Sequence, residues 1–229
     1  METNIDNNKH LVPLAIVVAG ALIAGAVYFG GSTNGSYAND PQTTKQLDIP
    51  GVTSNDHILG DPNAPIVVVE YSDVECPFCK VFHSTMHQIV NDYNGKVAWV
   101  YRQFPIAQLH ANAPIESEAT ECAYDLGGNT AFWKYLDLAF ETTNSNNSLD
   151  LAELPKMAGA IGLDVNAFNT CLSSGKYTDF IKTSVENAVK AGARGTPHSV
   201  IIAEDGTQVL INGAEPYANV KAKIDALLK

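Results

Sequence analysis

Two cysteines separated by two residues form the feature of this sequence with the clearest chemistry. Cys76 and Cys79 lie in the stretch ECPFCK, directly after an apolar run. A cysteine that precedes a helix faces the free N–H groups of its first turn, and the positive end of the helix dipole favours its thiolate. We therefore expect Cys76 to attack and leave as a thiolate, while a shielded Cys79, one turn further on, resolves the mixed disulfide. Glu75 opposes this, because an adjacent negative charge raises a thiol pKa.

A zinc half-site and a structural staple are the alternatives for this pair of cysteines. Zinc needs four ligands, and the other two cysteines, Cys122 and Cys171, lie far apart and form no second pair of this kind. His83 and His87 are spaced for one helix face, which we interpret as a solvated face. A staple that closes such a short loop would remove little entropy from the unfolded chain. The spacing favours redox thiols, with no metal and no cofactor.

Alternating strand and helix patterns surround the cysteines. The run APIVVVEY, Ala64–Tyr71, is typical of a strand buried on both faces. Pro77 suits the first position of a helix, whose apolar side we expect to include Phe78 and Val81. A second strand follows in VAWVYRQF, Val97–Phe104. The cysteines are thus expected at the strand–helix junction of a βαβ unit.

The rest of the chain predicts helices and then a hairpin. Helical patterns fill residues 106–190, with Gly127 and Gly128 separating two of the helices. The strands HSVII and TQVLI follow, joined by a turn with Asp205-Gly206, and a closing amphipathic helix ends the chain. The order predicts an α/β, thioredoxin-like fold over residues 56–229, with an inserted helical subdomain.

The N-terminal residues predict a membrane anchor. Leu11–Gly31 contains 21 residues without a charge, enough to cross a bilayer as a helix. A cleaved signal peptide and a buried core helix are the alternatives. Lys9 before the span places residues 1–10 in the cytoplasm, and 56–229 outside it. Residues 32–55, rich in Gly, Ser, Asn and Thr, predict a flexible linker.

The charge balance argues against a nucleic-acid partner. The chain of 229 residues has 25 acidic and 14 basic side chains, a formal net charge of −11. Binding to phosphates needs a basic surface, and no long basic run exists here.

The sequence resembles the DsbA-like thiol–disulfide oxidoreductases of the bacterial cell envelope, and is similar to the membrane-tethered, BdbD-like branch. The resemblance lies in HILGDPNAPIVVVEYSDVECPFC, VYRQFP, LHANA, ECAYDLGG with AFWKYLDLAF, and GARGTPHSVII, within about residues 57–213. It implies an enzyme that introduces disulfides into extended or unfolded secreted polypeptides. It also implies a membrane partner of the DsbB or VKOR type that receives the electrons.

The resemblance also implies roles for particular residues. Pro197 is expected to be cis and to face the cysteines, which leaves the backbone of Thr196 free to pair with a substrate strand. Together with Pro77 and Phe78, these residues form the predicted substrate-binding set. Glu70 corresponds to a buried acid that exchanges a proton with the resolving cysteine.

A structural disulfide and two departures from the family pattern complete these expectations. Cys122 and Cys171 correspond to cysteines that the family often joins. Phe78 stands where the most oxidising members have histidine, which favours a less oxidising disulfide. His198 follows Pro197 where threonine or an apolar residue is usual, and we hypothesise that it stabilises the Cys76 thiolate.

Two further functions stay open from the sequence. A disulfide isomerase or reductase of the same fold would use the same cysteines. A membrane-tethered module that binds peptides without catalysis would not need them.

Overall fold

The computed structural model describes residues 46–228 of the chain. The strands are β1 (His57–Leu59), β2 (Ile66–Ser72), β3 (Val97–Gln103), β4 (His198–Ala203) and β5 (Gln208–Asn212). The helices are α1 (Pro77–Tyr93), α2 (Ala113–Thr142), α3 (Leu154–Ala160), α4 (Val165–Ser174), α5 (Thr178–Lys190) and α6 (Tyr217–Leu227). A 3₁₀ turn, Leu151–Glu153, precedes α3.

One mixed sheet of five strands, in the order β1-β3-β2-β4-β5, forms the centre of the fold. Strands β2 and β3 are parallel, as the intervening helix requires, whereas β1, β4 and β5 are antiparallel to their neighbours. The central strand β2 is buried along almost its whole length because it lies between two strands and two layers. The predicted βαβ, helical block and ββα order, and with it the thioredoxin-like class, is confirmed.

Helices cover both faces of the sheet. On one face, Val68, Trp99 and Ile201 pack with residues of α1, α6 and the inserted helices. On the other, Tyr71 and Val100 pack with Ala188 of α5 and with the segment that follows it. The cysteines therefore lie on the larger of two apolar layers, at the end of the central strand.

The inserted helices begin with a long helix that is bent at one residue. Helix α2 runs on either side of Gly128, yet Gly128 itself adopts φ 67°, ψ −165°, outside the helical region. A positive φ is inexpensive only for glycine, so the bend occurs where the sequence predicts a separation of two helices.

One expectation from the sequence needs correction, and one strand was not expected. Residues 46–55, assigned to the flexible linker, lie on the domain, where Arg102 donates to the carbonyls of Pro50 and Gly51 and the Leu47 amide donates to Gln208. The short strand β1 was not predicted, because three residues carry no periodic signal.

Among residues 46–228, none of the helices is long and apolar enough to cross a lipid bilayer. The predicted anchor and its flanks, residues 1–45, lie outside the described residues.

Candidate active site

The local sequence fixes Cys76 at the start of α1. Cys76 is the N-cap residue with extended backbone angles, and Pro77 occupies the first turn, where its missing N–H costs nothing. The Asp73 carboxylate accepts hydrogen bonds from the amides of Glu75 and Ile106 and from His110, and so holds the loop between β2 and α1. The first-turn amides of the helix therefore remain available to the Cys76 sulfur.

Long-range contacts place a second loop against the first cysteine. The Thr196–Pro197 peptide bond is cis, and the Thr196 carbonyl accepts a hydrogen bond from Cys76 Sγ at 3.5 Å. Antiparallel pairing of Tyr71 in β2 with His198 in β4 brings this loop beside the end of the central strand. The structure thus brings together Cys76, Thr196 and Pro197.

The two cysteines differ in their acidity. The pKa of Cys76 falls to about 6, chiefly because the Cys79 thiol hydrogen-bonds to its thiolate; burial opposes this, and the Thr196 side chain and first-turn amides assist. The pKa of Cys79 is raised well above its ordinary value, mainly by complete burial and further by the negative charges of Cys76 and Glu70. One sulfur is therefore a thiolate at neutral pH while the other keeps its proton.

Glu70 is a buried acid beneath the cysteines. Its side chain is fully buried in β2, and neither carboxylate oxygen makes a hydrogen bond within residues 46–228. Burial raises its pKa to about 8, and the Cys76 charge adds to this rise. Tyr101, its neighbour across the β2–β3 pair, is also buried, and burial raises its pKa as well. Glu70 is consequently a neutral carboxylic acid at pH 7.

Glu75 organises a loop that the sequence did not connect with the cysteines. Its carboxylate accepts from the Thr143 hydroxyl and from the amides of Asn147, Ser148 and Leu149, at 2.7 to 3.3 Å. These donors satisfy the negative charge of the Glu75 carboxylate. The pKa of Cys76 is lowered even though Glu75 precedes it, and the opposition expected from Glu75 stays a prediction.

A second buried acid lies near Glu75. Burial raises the pKa of Glu116 to about 9, and the nearby Glu75 and Asp73 carboxylates raise it further. Glu116 is therefore protonated at neutral pH, which limits the charge repulsion within this acidic group. No local pattern in the sequence identifies these acids, since they come from different elements.

The proposed role of His198 is contradicted. Strands alternate their side chains between the two faces of a sheet. His198 projects to the α5 side, where its Nε2 lies 3.3 Å from the Ala191 carbonyl and its ring lies near Tyr71. Burial lowers the pKa of His198, so a protonated ring is disfavoured as well.

The remaining predicted residues lie on the surface of α1 and within the inserted helices. Phe78 and Val81 are 64% and 63% exposed, so their expected burial on the apolar side of the helix is wrong. Both lie in the first two turns of α1, which begins directly after Cys76. Cys122 in α2 and Cys171 in α4 are joined by a disulfide, with their sulfurs 2.00 Å apart.

The match to known proteins agrees with this geometry. The chain matches the family model Thioredoxin_4, described as thioredoxin, over residues 52–226. The chain belongs to this thioredoxin family. Among solved structures, Pseudomonas aeruginosa DsbA2 is 28% identical with a TM-score of 0.65, and covers 78% of this chain and 97% of its own. Wolbachia pipientis alpha-DsbA1 is 26% identical with a TM-score of 0.65, at 78% and 92% coverage.

Two further similarities are more limited in what they show. BdbD from Bacillus subtilis has a TM-score of 0.68 over 80% of this chain and 98% of its own, but at 18% identity it shows the fold alone. The Na⁺/H⁺ antiporter NhaA 3 of Salinispora tropica is 32% identical over 66% of this chain, which spans only 22% of that protein. The predicted membership in the DsbA-like group of this thioredoxin family is confirmed.

Proposed function

We propose that the chain is a thiol–disulfide oxidoreductase that introduces disulfides into secreted or cell-envelope proteins by exchange at Cys76 and Cys79. One observation carries the proposal. Cys76, at the start of α1 and 3.5 Å from the Thr196 carbonyl, has a pKa of about 6, whereas Cys79 behind it is fully buried and protonated. The likeness to solved DsbA proteins supports the same reaction class.

The first exchange starts from the Cys76–Cys79 disulfide. A substrate thiolate attacks Cys76 Sγ, a new S–S bond joins substrate and enzyme, and the electron pair of the broken bond stays on Cys79. A buried thiolate is costly, so Cys79 takes a proton. Glu70, neutral at pH 7 and coupled to Cys79 by charge, is the proposed donor of that proton.

The second exchange releases the product. Another substrate thiolate attacks the substrate sulfur of the mixed disulfide, and Cys76 leaves as a thiolate. Two substrate thiols have become one disulfide, and their two electrons now reside in the reduced cysteine pair. A leaving thiol of low pKa departs faster, so the acidity of Cys76 favours this direction. A membrane partner of the DsbB or VKOR type would then take up the electrons and restore the disulfide.

An exposed apolar surface beside Cys76 suits unfolded polypeptides as substrates. Phe78 and Val81 present their side chains to solvent on the first turns of α1. Unfolded chains expose apolar side chains that would pack there, and the backbone of Thr196 would pair with an extended segment.

The N-terminus is proposed to hold this domain outside the cytoplasm. An uncleaved anchor at residues 11–31 would tether residues 56–229 to the outer face of the cell membrane. Mass determination of the protein extracted from membranes tests this, because a cleaved product would lack the first residues.

Oxidation of a reduced, unfolded protein tests the activity. The oxidised full chain should generate disulfides in the reduced substrate, and Cys76→Ser should not. Given a substrate that already contains disulfides, Cys79→Ser should accumulate a mixed disulfide, because Cys76 attacks the substrate disulfide, releases one substrate thiolate and has no Cys79 to resolve the product. Phe78→Ala should raise KM, whereas Phe180→Ala, an exposed phenylalanine on α5, should not. A full chain that generates no disulfides, yet binds the unfolded substrate equally well when both cysteines are replaced, would overturn the proposal in favour of a binding module.

The potential of the couple separates oxidase from reductase. Equilibration with glutathione should place the potential above about −270 mV, because the Cys76 thiolate stabilises the reduced form, and below about −120 mV, because Phe78 stands where the most oxidising members have histidine. A value near about −270 mV would instead identify a reductase.

A further inference from the structure

Two histidines and an aspartate converge in a cleft between α1 and α2. His83 and His87 lie one turn apart on α1, and Asp137 lies on α2 after the bend at Gly128. Asp137 Oδ1 is 2.7 Å from His83 Nε2 and 2.8 Å from His87 Nε2, and the two Nε2 atoms are 3.2 Å apart. The expected solvated face is therefore wrong for His83, which is buried.

The surroundings hold the two rings in place. The His83 ring packs against Trp99 and Phe140, with centroids 5.1 and 4.5 Å away, and the His87 ring packs edge-on against Trp99. Both rings thus have little freedom to turn away. Their Nε2 atoms point into a cleft that is open to solvent on the side of Asp137, which is half-exposed.

The spacing of the three atoms approaches that of a tetrahedral metal centre. Zinc–nitrogen bonds of about 2.0–2.1 Å in tetrahedral geometry separate two ligand nitrogens by about 3.3 Å. The observed separation of the histidine nitrogens is 3.2 Å. Asp137 Oδ1 lies closer than this to both nitrogens, so a small outward shift of its carboxylate would open the position for a metal.

We propose that His83, His87 and Asp137 form a binding site for a divalent transition metal of the zinc type. Imidazole and carboxylate together suit this class of ion. Glu141, one turn beyond Asp137, lines the same cleft and is the proposed fourth ligand. Lys80 also lines it, but its ammonium donates to the Thr143 carbonyl.

A bound metal would clamp α1 to the inserted helices. Cys79 lies one turn before His83 on α1, so the clamp would sit directly behind the cysteine pair. The proposal does not rest on the proposed thiol chemistry.

Zinc titration of the full chain tests the site. The protein is used in its oxidised form, because the reduced Cys76 and Cys79 thiols would bind zinc themselves. Calorimetry should show one equivalent of zinc bound, and Co²⁺ should give the visible absorption of a tetrahedral ion. His87→Gln and Asp137→Asn should weaken binding at least about tenfold. Asp179→Asn, at an exposed aspartate on α5, is the matched control and should bind as the wild type does.

Thermal unfolding gives a second readout. Zinc should raise the Tm of the oxidised wild type and of Asp179→Asn, since a ligand that binds only the folded state stabilises it. It should not raise the Tm of His87→Gln. Oxidised wild type that binds no zinc, or variants at His87 and Asp137 that bind it as tightly as wild type, would show a hydrogen-bonded cluster only and overturn the proposal.

Discussion

Replacement of Glu70 by glutamine should stabilise the protein in a manner that depends on pH. The pKa of Glu70 is about 8 in the folded protein, against 4.5 in the unfolded chain. A raised carboxyl pKa means that its favourable contribution to stability is complete below pH 4.5 and is lost as pH rises towards 8. Between pH 4.5 and pH 7, Glu70 ionises in the unfolded chain but stays protonated in the folded protein. Over this interval of about 2.5 pH units, ionisation stabilises the unfolded chain by about 3 kcal/mol, at 1.36 kcal/mol per unit. Glutamine has no such penalty.

Chemical unfolding of the oxidised full chain measures this difference, because the disulfide removes the titration of both cysteines. The two tryptophans, Trp99 and Trp133, are buried and report unfolding by fluorescence. The free energies of wild type and Glu70→Gln should agree near pH 4 and diverge by about 1.4 kcal/mol per pH unit from about pH 5 up to the folded pKa of Glu70. That pKa should lie somewhat below about 8 in the oxidised protein, which lacks the Cys76 charge.

An exposed glutamate on the same protein supplies the control. Glu186→Gln, on the solvent side of α5, should show no divergence with pH. A pH-independent difference between wild type and Glu70→Gln would refute the reasoning, because Glu70 would then ionise alike in both states. In substrate oxidation, the same variant should slow the step that protonates Cys79, by about 100-fold or more for a lost general acid.

The remaining predictions concern the cysteines and Glu75. The Cys76 thiol should titrate near pH 6 by ultraviolet absorbance of the reduced protein, and Cys79→Ala should raise that pKa, because the Cys79 hydrogen bond is the largest stabilising contribution. Because the folded pKa is depressed, the stability that Cys76 adds to the reduced protein should be present above pH 9 and lost as pH falls through about 6; a flat difference from Cys76→Ser would contradict this. Glu75→Ala should cost at least about 3 kcal/mol in unfolding free energy, since three amides lose their acceptor. Glu75→Gln should cost less, because its side-chain oxygen still accepts; equal losses in the two variants would contradict this. Replacing Cys122 and Cys171 by alanine should cost about 4 kcal/mol from the entropy of a 49-residue separation, and an unchanged midpoint in denaturant would argue against it.

Much of the fold was predictable because its signals are local. The valine-rich run of β2 and the Pro77 start of α1 are enough to place the cysteines at a strand–helix junction. The bend at Gly128 was equally visible, because a glycine pair interrupts a helical pattern. Strand β1 was not, since a strand of three residues owes its existence to pairing with β3 rather than to its own sequence.

The site was only partly predictable, for a similar reason. Helical periodicity placed Phe78 and Val81 on an apolar side, but the position of the neighbouring elements leaves them exposed. His83 and His87 show the same spacing as any surface pair, and only the packing of α2 against α1 brings Asp137 to them. The side of the sheet on which His198 lies depends on strand register, which the sequence of β4 alone does not set.

The sequence by itself predicted which two sulfurs would react and determined that one of them precedes a helix, because a helix terminus and its dipole are properties of a short segment. The tertiary structure decided what surrounds those sulfurs. Thr196 meets Cys76 across 120 positions of chain, Glu70 becomes neutral only because other elements exclude water from it, and the Glu75 charge is satisfied by a distant loop. Desolvation and long-range hydrogen bonds exist only once the chain is folded, so the acidity of the cysteine pair is a property of the fold.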